Sequence, residues 1–267
     1  MIISSSNFIK IKINIKALVK NMVAKKLAKI IFLESLIKYS NGIGYVAPLE
    51  TEVQFLVNTN SNAFILFDIG ANVGDYSKKV SEKYPESTIY SFEPSKYTFE
   101  LLANNVKQNK RIKPVNVGFG EYEEKKTLYS NTNGSGMASL YNRDLKNIGI
   151  EFNQSEIAEI ASLDNWVKLN KVIPDYIKID VEGSEFSVLK GGVKTLRNVK
   201  AVQFEFGGTA IDARTFFKDY WNFFSRMNFS IYRYTPDGLM QITNYSEKEE
   251  RFEYMNYLAV SNNLEHR

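Results

Sequence analysis

Apolar residues in this chain come in short runs closed by turn residues, and between the runs their spacing becomes helical. Ala63–Phe67 is one such run, ended by Asp68 and a glycine-bearing turn. Tyr76, Val80 and Tyr84 then fall at i, i+4 and i+8, which predicts a helix over Asp75–Lys83, stopped by Pro85. A second strand is predicted at Thr88–Phe92. Pro94 and Ser95 open the next helix, whose face carries Phe99, Leu102 and Val106. Ile112–Val117 reads as strand three. An irregular stretch from Tyr122 to Ile160 holds possible strands Lys125–Tyr129 and Glu156–Ala161, and Asp164 is expected to cap a helix over Asn165–Leu169. Strand four is Tyr176–Val181, followed by a helix that Gly191-Gly192 terminates. Strand five is Ala201–Phe206. A long aromatic helix, Arg214–Met227, precedes two last strands, Ser230–Tyr234 and Tyr257–Ser261. The alternation of strand and helix predicts an α/β fold with a mostly parallel sheet covered on both faces.

The first residues follow a different pattern. Residues 1 to 33 contain seven lysines and no acid, and Glu34 is the first carboxylate. Ile9, Ile11, Ile13 and Ile15 alternate with polar residues, as in a strand. From Ala17 to Ile37 an imperfect helical stripe runs through Val19, Val23, Leu27, Ile30 and Ile31. Lysines interrupt this segment too often for a membrane span or a secretory core. The division expected is a basic amphipathic extension over 1–45 and one domain over 46–267. The extension is expected to pack on that domain or to mediate self-association; the alternative is a basic surface for anionic lipid or an acidic glycan. No aromatic interleaving accompanies the lysines, so nucleic acid is not an expected partner. The expected location is cytoplasmic, with peripheral attachment at the inner membrane surface as the alternative.

Composition narrows the chemistry further. The 267 residues are 44% hydrophobic and 24% charged, as in an ordinary globular protein. There is no cysteine, and the single histidine is His266, next to the end of the sequence. Thiol nucleophiles, disulfides, a Ser-His-Asp triad and a His-ligated zinc site are therefore set aside. Acid–base work falls to carboxylates, Lys or Tyr.

The turn after the first predicted strand carries the most specific signal. Asp68-Ile69-Gly70-Ala71-Asn72-Val73-Gly74 joins strand to helix, where glycines permit positive φ and close approach. Glu93 ends strand two, nineteen residues after Gly74, where a carboxylate can accept hydrogen bonds from ribose hydroxyls. A nucleoside-containing cofactor is expected. The dinucleotide fingerprint wants a third glycine where Asn72 stands. Asp68 would repel a phosphate and suit a cationic amino-acid moiety, such as that of S-adenosylmethionine.

Four further stretches accompany the Phe67–Gly74 turn in order: Phe92-Glu93-Pro94, Leu163-Asp164, Ile177-Lys178-Ile179-Asp180-Val181-Glu182-Gly183 and Gln203-Phe204-Glu205. Together they resemble the FkbM family of S-adenosylmethionine-dependent methyltransferases over roughly residues 63 to 208. Gly118 and Glu121 stand where that family often has Ala and Asp. The resemblance implies a Rossmann-like class I methyltransferase fold with a seven-stranded sheet, and the cofactor at the carboxyl ends of strands one to four. It also implies O-methylation of a hydroxyl on a sugar, glycan or other small molecule. The residues expected around the cofactor are Asp68, Gly70, Ala71, Asn72, Gly74, Glu93, Pro94, Gly118, Phe119 and Asp180. With no usable histidine, the candidates for catalysis are Asp180, Glu205, Lys178 and Glu182 at the ends of strands four and five. Three acids near one another are also a possible seat for Mg²⁺ or Ca²⁺, and Lys178 with Glu205 a possible structural ion pair. The Gly-, Ser- and Asn-rich loop from Asn131 to Ser139 is expected to be an acceptor-side lid. The competing expectations are a catalytically silent cofactor-binding or interaction protein and an NAD(P)-dependent oxidoreductase.

Overall fold

The structure, a computed structural model, describes residues 24–57 and 63–263. The strand-like pattern over residues 9–15 lies outside the described residues. A helix, α1, runs through residues 24–40, and α2 (Leu49–Leu56) leads into the sheet. Then come β1 (Ile65–Ile69), α3 (Asp75–Lys83), β2 (Thr88–Phe92), α4 (Lys96–Val106) and β3 (Ile112–Val115). The middle of the chain supplies β4 (Gly118–Gly120), β5 (Glu124–Ser130), β6 (Gln154–Ser162) and α5 (Leu163–Asn170). Alternation resumes with β7 (Tyr176–Ile179), α6 (Glu185–Gly191), α7 (Val193–Leu196) and β8 (Ala201–Phe206). It ends with α8 (Thr209–Ala213), α9 (Phe217–Arg226), β9 (Phe229–Thr235), β10 (Gly238–Ile242) and β11 (Met255–Ser261).

Eight strands form the main sheet in the order β10-β9-β11-β8-β7-β1-β2-β3. The five from β8 to β3 are parallel, and β11 enters antiparallel between β8 and β9. The eighth strand is the addition to the expected seven: the Pro236-Asp237-Gly238 turn closes a hairpin, and β10 pairs with β9 in it. Strands β4, β6 and β5 form a separate small sheet. Apolar side chains of one face pack under α5, α6, α7 and α9, through Leu163, Val188, Leu196, Phe217 and Phe224. Those of the other face pack under α2, α3 and α4, through Val53, Leu56, Val80, Leu102 and Val106. Both faces are covered, as parallel strands require. The parallel order also brings the ends of β1, β2, β7 and β8 to one edge.

Three expectations are corrected in detail. Strand β1 extends through Asp68 and Ile69, because Asp68 finds partners inside the fold and so need not end the strand. Asp164 does cap a helix, but a different one: its carboxylate accepts from the N–H groups of Lys194 and Thr195 at 2.9 and 2.7 Å, at the start of α7. Helix α5 is capped by Ser162. The aromatic helix begins at Phe217, since Arg214 takes φ 54° and closes the short α8 instead.

Candidate active site

The turn after β1 is built on space and conformation. Gly70 has φ +81°, and a Cβ on it would lie 1.8 Å from the carbonyl oxygen of Asp180. The turn thus presses against the end of β7, and the N–H groups of Gly70 and Ala71 both donate to the Phe92 carbonyl, at 3.0 and 2.9 Å. Gly74 opens α3 at φ +90°, with Leu102 packed where a side chain would go. Asn72 takes φ 48°, a left-handed conformation that asparagine tolerates better than most residues. Its backbone N–H donates to Glu93 Oε2 at 3.0 Å, and its own Oδ1 is buried without a hydrogen-bond partner.

Glu93 clamps two loops. Its other oxygen, Oε1, accepts from the Ser95 N–H at 3.0 Å. Burial outweighs those two bonds and raises its pKa to about 7. Each carboxylate oxygen keeps a lone pair for a further donor.

A cleft opens at this edge of the sheet. Of the residues expected at the site, Gly70, Asn72, Glu93, Pro94, Gly118, Phe119, Asp180 and Glu182 line it. Its apolar wall comes from Val117, Leu128, Ala138, Leu140 and Ile160, so the small sheet forms one side. Gly118 is closely packed: a Cβ there would press on Ile160 Cδ1 at 2.8 Å and Pro94 Cβ at 3.0 Å. Phe119 lines the cleft while its ring packs edge-on against Phe92, centroids 4.8 Å apart. The cleft has three carboxylates among its lining residues and no lysine or arginine.

The loop expected as an acceptor-side lid forms part of the cleft itself. Ser135, Gly136 and Ala138 line this same cleft, and a Cβ on Gly136 would sit 3.1 Å from Asn72 Nδ2. The loop therefore lies over the Asn72–Glu93 side. Ser139 ties its end down by donating to the Glu182 carbonyl at 2.7 Å.

Asp68, Ala71, Gly74, Lys178 and Glu205 are not among the residues lining the cleft: the first four sit behind it, and Glu205 lies beside Asp180 at the same strand-end edge. Register places Ser91, Asp68, Lys178 and Gln203 side by side across four neighbouring strands. Ser77 of α3 donates to Asp68 Oδ2 at 2.6 Å and shares a hydrogen bond with Ser91 at 2.7 Å. Lys178 Nζ lies 3.4 Å from Asp68 Oδ1 and 3.3 Å from Asp180 Oδ2. Burial opposes the ammonium charge, but Asp180 and Asp68 outweigh it and hold the Lys178 pKa above the ordinary lysine range. Lys178 is thus paired with two aspartates, and no ion pair to Glu205 occurs among the described residues. Asp68 is committed to Ser77 and Lys178, so it buttresses the turn from beneath.

Glu205 follows Gln203 on the same face of β8, buried and one position beyond the Ile179–Phe204 pairing, level with Asp180. Burial raises its pKa to about 9, and the nearby Asp180, Glu185 and Glu182 add to the rise. Glu182 is raised to about 7 by burial and by Asp180, while Arg143 at 3.4 Å pulls the other way. Among the described residues, no group of three or more His, Cys, Asp or Glu is arranged to hold a metal ion.

Two residues that support the site had no signal in the sequence. Glu185 accepts from the Val181 and Gly183 N–H groups, at 3.0 Å and at 3.2 and 3.1 Å, and shapes the Asp180–Gly183 turn. Glu52 of α2 accepts from Gln203 at 3.2 Å and from Asn256 at 2.8 Å, tying α2 to β8 and β11. These partners lie 151 and 204 residues away in sequence, and no local pattern reports such a pairing.

The family model described as "Methyltransferase FkbM domain" matches residues 68–231, more than half of the chain. The methyltransferase sdnD of Sordaria araneosa is 27% identical over 188 residues, covering 56% of this chain and 72% of its own. The hexuronic acid methyltransferase AglP of Haloferax volcanii is 26% identical over 155 residues, covering 56% of this chain and 59% of its own. The crystal structure of methyltransferase FkbM from Methylobacillus flagellatus KT superimposes with a TM-score of 0.52 at 16% identity. That match spans 83% of this chain and half of the other. With the cleft at the strand ends, the five sequence motifs in order and the family model over residues 68–231, the chain belongs to the FkbM methyltransferase family.

Proposed function

We propose that this chain transfers the methyl group of S-adenosylmethionine to a hydroxyl oxygen of a sugar, glycan or other small molecule. The observation that carries the reading is the make-up of the cleft. It offers acceptors (Glu93, Asp180, Glu182 and the unpartnered Asn72 Oδ1) beside an apolar slot, and no basic side chain. Ribose hydroxyls and an ammonium group are donors and match it; a pyrophosphate would meet three carboxylates, which disfavours a dinucleotide. Glu93 would hold the ribose hydroxyls, Asp180 the ammonium group, and Pro94, Gly118 and Phe119 the adenine. When bound, S-adenosylmethionine supplies an electrophilic methyl on a sulfonium.

The chain's own part is orientation and removal of one proton. Lys178, held by two aspartates, fixes Asp180 at the cleft floor. Glu205, level with Asp180, accepts the proton that the acceptor hydroxyl loses as its oxygen gains the methyl group. Positioning supplies much of the rate in such a displacement, and the base adds roughly two to four decades. The sugar class of acceptor is supported by the Haloferax volcanii relative, a hexuronic acid methyltransferase 26% identical to this chain over 155 residues.

Calorimetry with S-adenosylhomocysteine and, separately, NAD tests the cofactor. Binding of the former alone is expected, weakened at least about tenfold by Glu93→Ala, since charge-assisted hydrogen bonds contribute about 1.5–3 kcal/mol each. Tight NAD binding with no S-adenosylhomocysteine binding would overturn the reading. For turnover on a hexuronic acid glycoside panel, Glu205→Gln is expected to lower kcat by about a hundredfold or more while sparing cofactor affinity. Binding without turnover on any acceptor would favour a silent cofactor-binding protein.

A further inference from the structure

Helix α1 takes no part in the cleft. Every residue from 24 to 40 is exposed, including Ile31, Phe32 and Ile37 at about 60%. The helix therefore does not pack on the domain, the first of the arrangements expected from sequence. At 3.6 residues per turn, Leu27, Ile30, Ile31, Phe32, Leu33, Leu36 and Ile37 spread around most of its circumference, with Lys25, Lys26 and Lys29 among them. A helix so apolar is ordinarily covered by something. Among the described residues no helix is long and apolar enough to cross a membrane.

Charge decides what covers it. Residues 1–40 hold eight lysines and one acid, whereas residues 41–267 hold 26 basic and 29 acidic side chains. The entire positive excess of the protein sits on this one segment. A second copy of the helix would bring like charges together across a self-complementary contact. Nucleic acid would satisfy the lysines but leave the isoleucines, leucines and phenylalanine in water. An anionic lipid surface satisfies both, with apolar side chains in the acyl boundary and lysine ammoniums at the headgroups.

We propose that α1 is a docking element for anionic membrane lipid. Its far end fixes the orientation. Asn41 accepts from Arg233 at 3.1 Å, and Gly42 packs so tightly on β9 that a Cβ would lie 2.0 Å from the Tyr234 carbonyl oxygen. Lys38 pairs with Glu253 at 3.8 Å, and Glu253 and Tyr254 lie against Gly207, next to Glu205. The helix thus leaves the molecule at the edge of the sheet that carries the cleft, and docking brings that edge to the lipid surface.

Co-sedimentation of the full chain with vesicles of phosphatidylcholine, alone or mixed with phosphatidylglycerol, tests this independently of methyl transfer. Binding to the anionic vesicles is expected to be at least about tenfold tighter than to neutral ones and to weaken with added salt. The triple variant Lys25→Glu, Lys26→Glu, Lys29→Glu is expected to lose about tenfold or more of that affinity, with an unchanged melting temperature because all three side chains are exposed. A second variant, Ile31→Ser with Phe32→Ser, is expected to lose binding while keeping its charge. No vesicle binding, or equal binding to both compositions, overturns the proposal. So does a concentration-dependent dimer that the serine variant dissolves, or binding confined to soluble polyanions such as heparin.

Discussion

Gly70 shows how much a single residue can reveal and how much it withholds. Its place in a strand-to-helix turn was legible, and the expected positive φ is present. The reason for its size was not, because the atom it must avoid belongs to Asp180, 110 residues later. The close approach expected at this glycine is made by the backbone that follows β7. Even Gly70→Ala is then expected to separate β1 from β7, since the Asp180 carbonyl at 1.8 Å is backbone and cannot rotate away. Such overpacking costs about 1–3 kcal/mol, and positive φ adds strain. Thermal unfolding should fall by several degrees, and an unchanged midpoint would show that this turn is not pinned. Glu93 has a similar second role. Because it accepts from Asn72 and Ser95, truncating it leaves two backbone N–H groups unpaired as well as removing a ligand. Its loss should therefore register in stability as well as in affinity.

Whole elements were read from the pattern more securely than their partnerships. Helix α3 and strands β2 and β8 fall on their expected bounds, because apolar periodicity and nearby Pro or Gly are local signals. The roles of Asp164 and of the Asn131–Ser139 loop depend on what lies opposite, which periodicity cannot report. A Gly- and Ser-rich loop between two strands suggested an acceptor lid; its contact with Asn72 assigns it to the Glu93 side of the cleft. Deleting Gly134–Gly136 is accordingly expected to weaken S-adenosylhomocysteine binding as well as slow turnover, because it removes a wall of the cleft. Calorimetry on the deletion variant checks this: full affinity with impaired turnover would return the loop to the acceptor side.

At the scale of the molecule, the site is a gathering of acids that the parallel topology brings to one edge and then buries. Sequence showed that Asp180, Glu182 and Glu205 would be neighbours, since strands four and five both end in carboxylates. It did not show how far Glu182 and Glu205 are withdrawn from water, and that withdrawal raises the pKa of both. Glu93, Glu182 and Glu185 are raised to about 7 and Glu205 to about 9, with burial the main cause in each. In the unfolded chain these groups titrate near the ordinary glutamate value of about 4.3. Between that value and the folded one, the native state holds protons that the unfolded state has released, so stability falls as pH rises. The contribution is fully present below the unfolded pKa and is lost by about pH 7 for the first three, and by about pH 9 for Glu205. Lys178 does not oppose this: its pKa is raised above the ordinary lysine range, so its contribution persists through the whole interval. The cofactor-free protein is therefore expected to melt highest near pH 5 and progressively lower toward pH 9. Glu205→Gln, which cannot ionise, should flatten the part between pH 7 and 9. The same titration makes the base: if Glu205 accepts the hydroxyl proton, kcat rises over the interval in which its stability contribution disappears. Melting curves and kcat measured at matched pH on both proteins check the pair of effects. A wild-type midpoint that climbs from pH 5 to 9 would mean that these carboxyls are ionised in the fold, and a kcat independent of pH would remove Glu205 as the base.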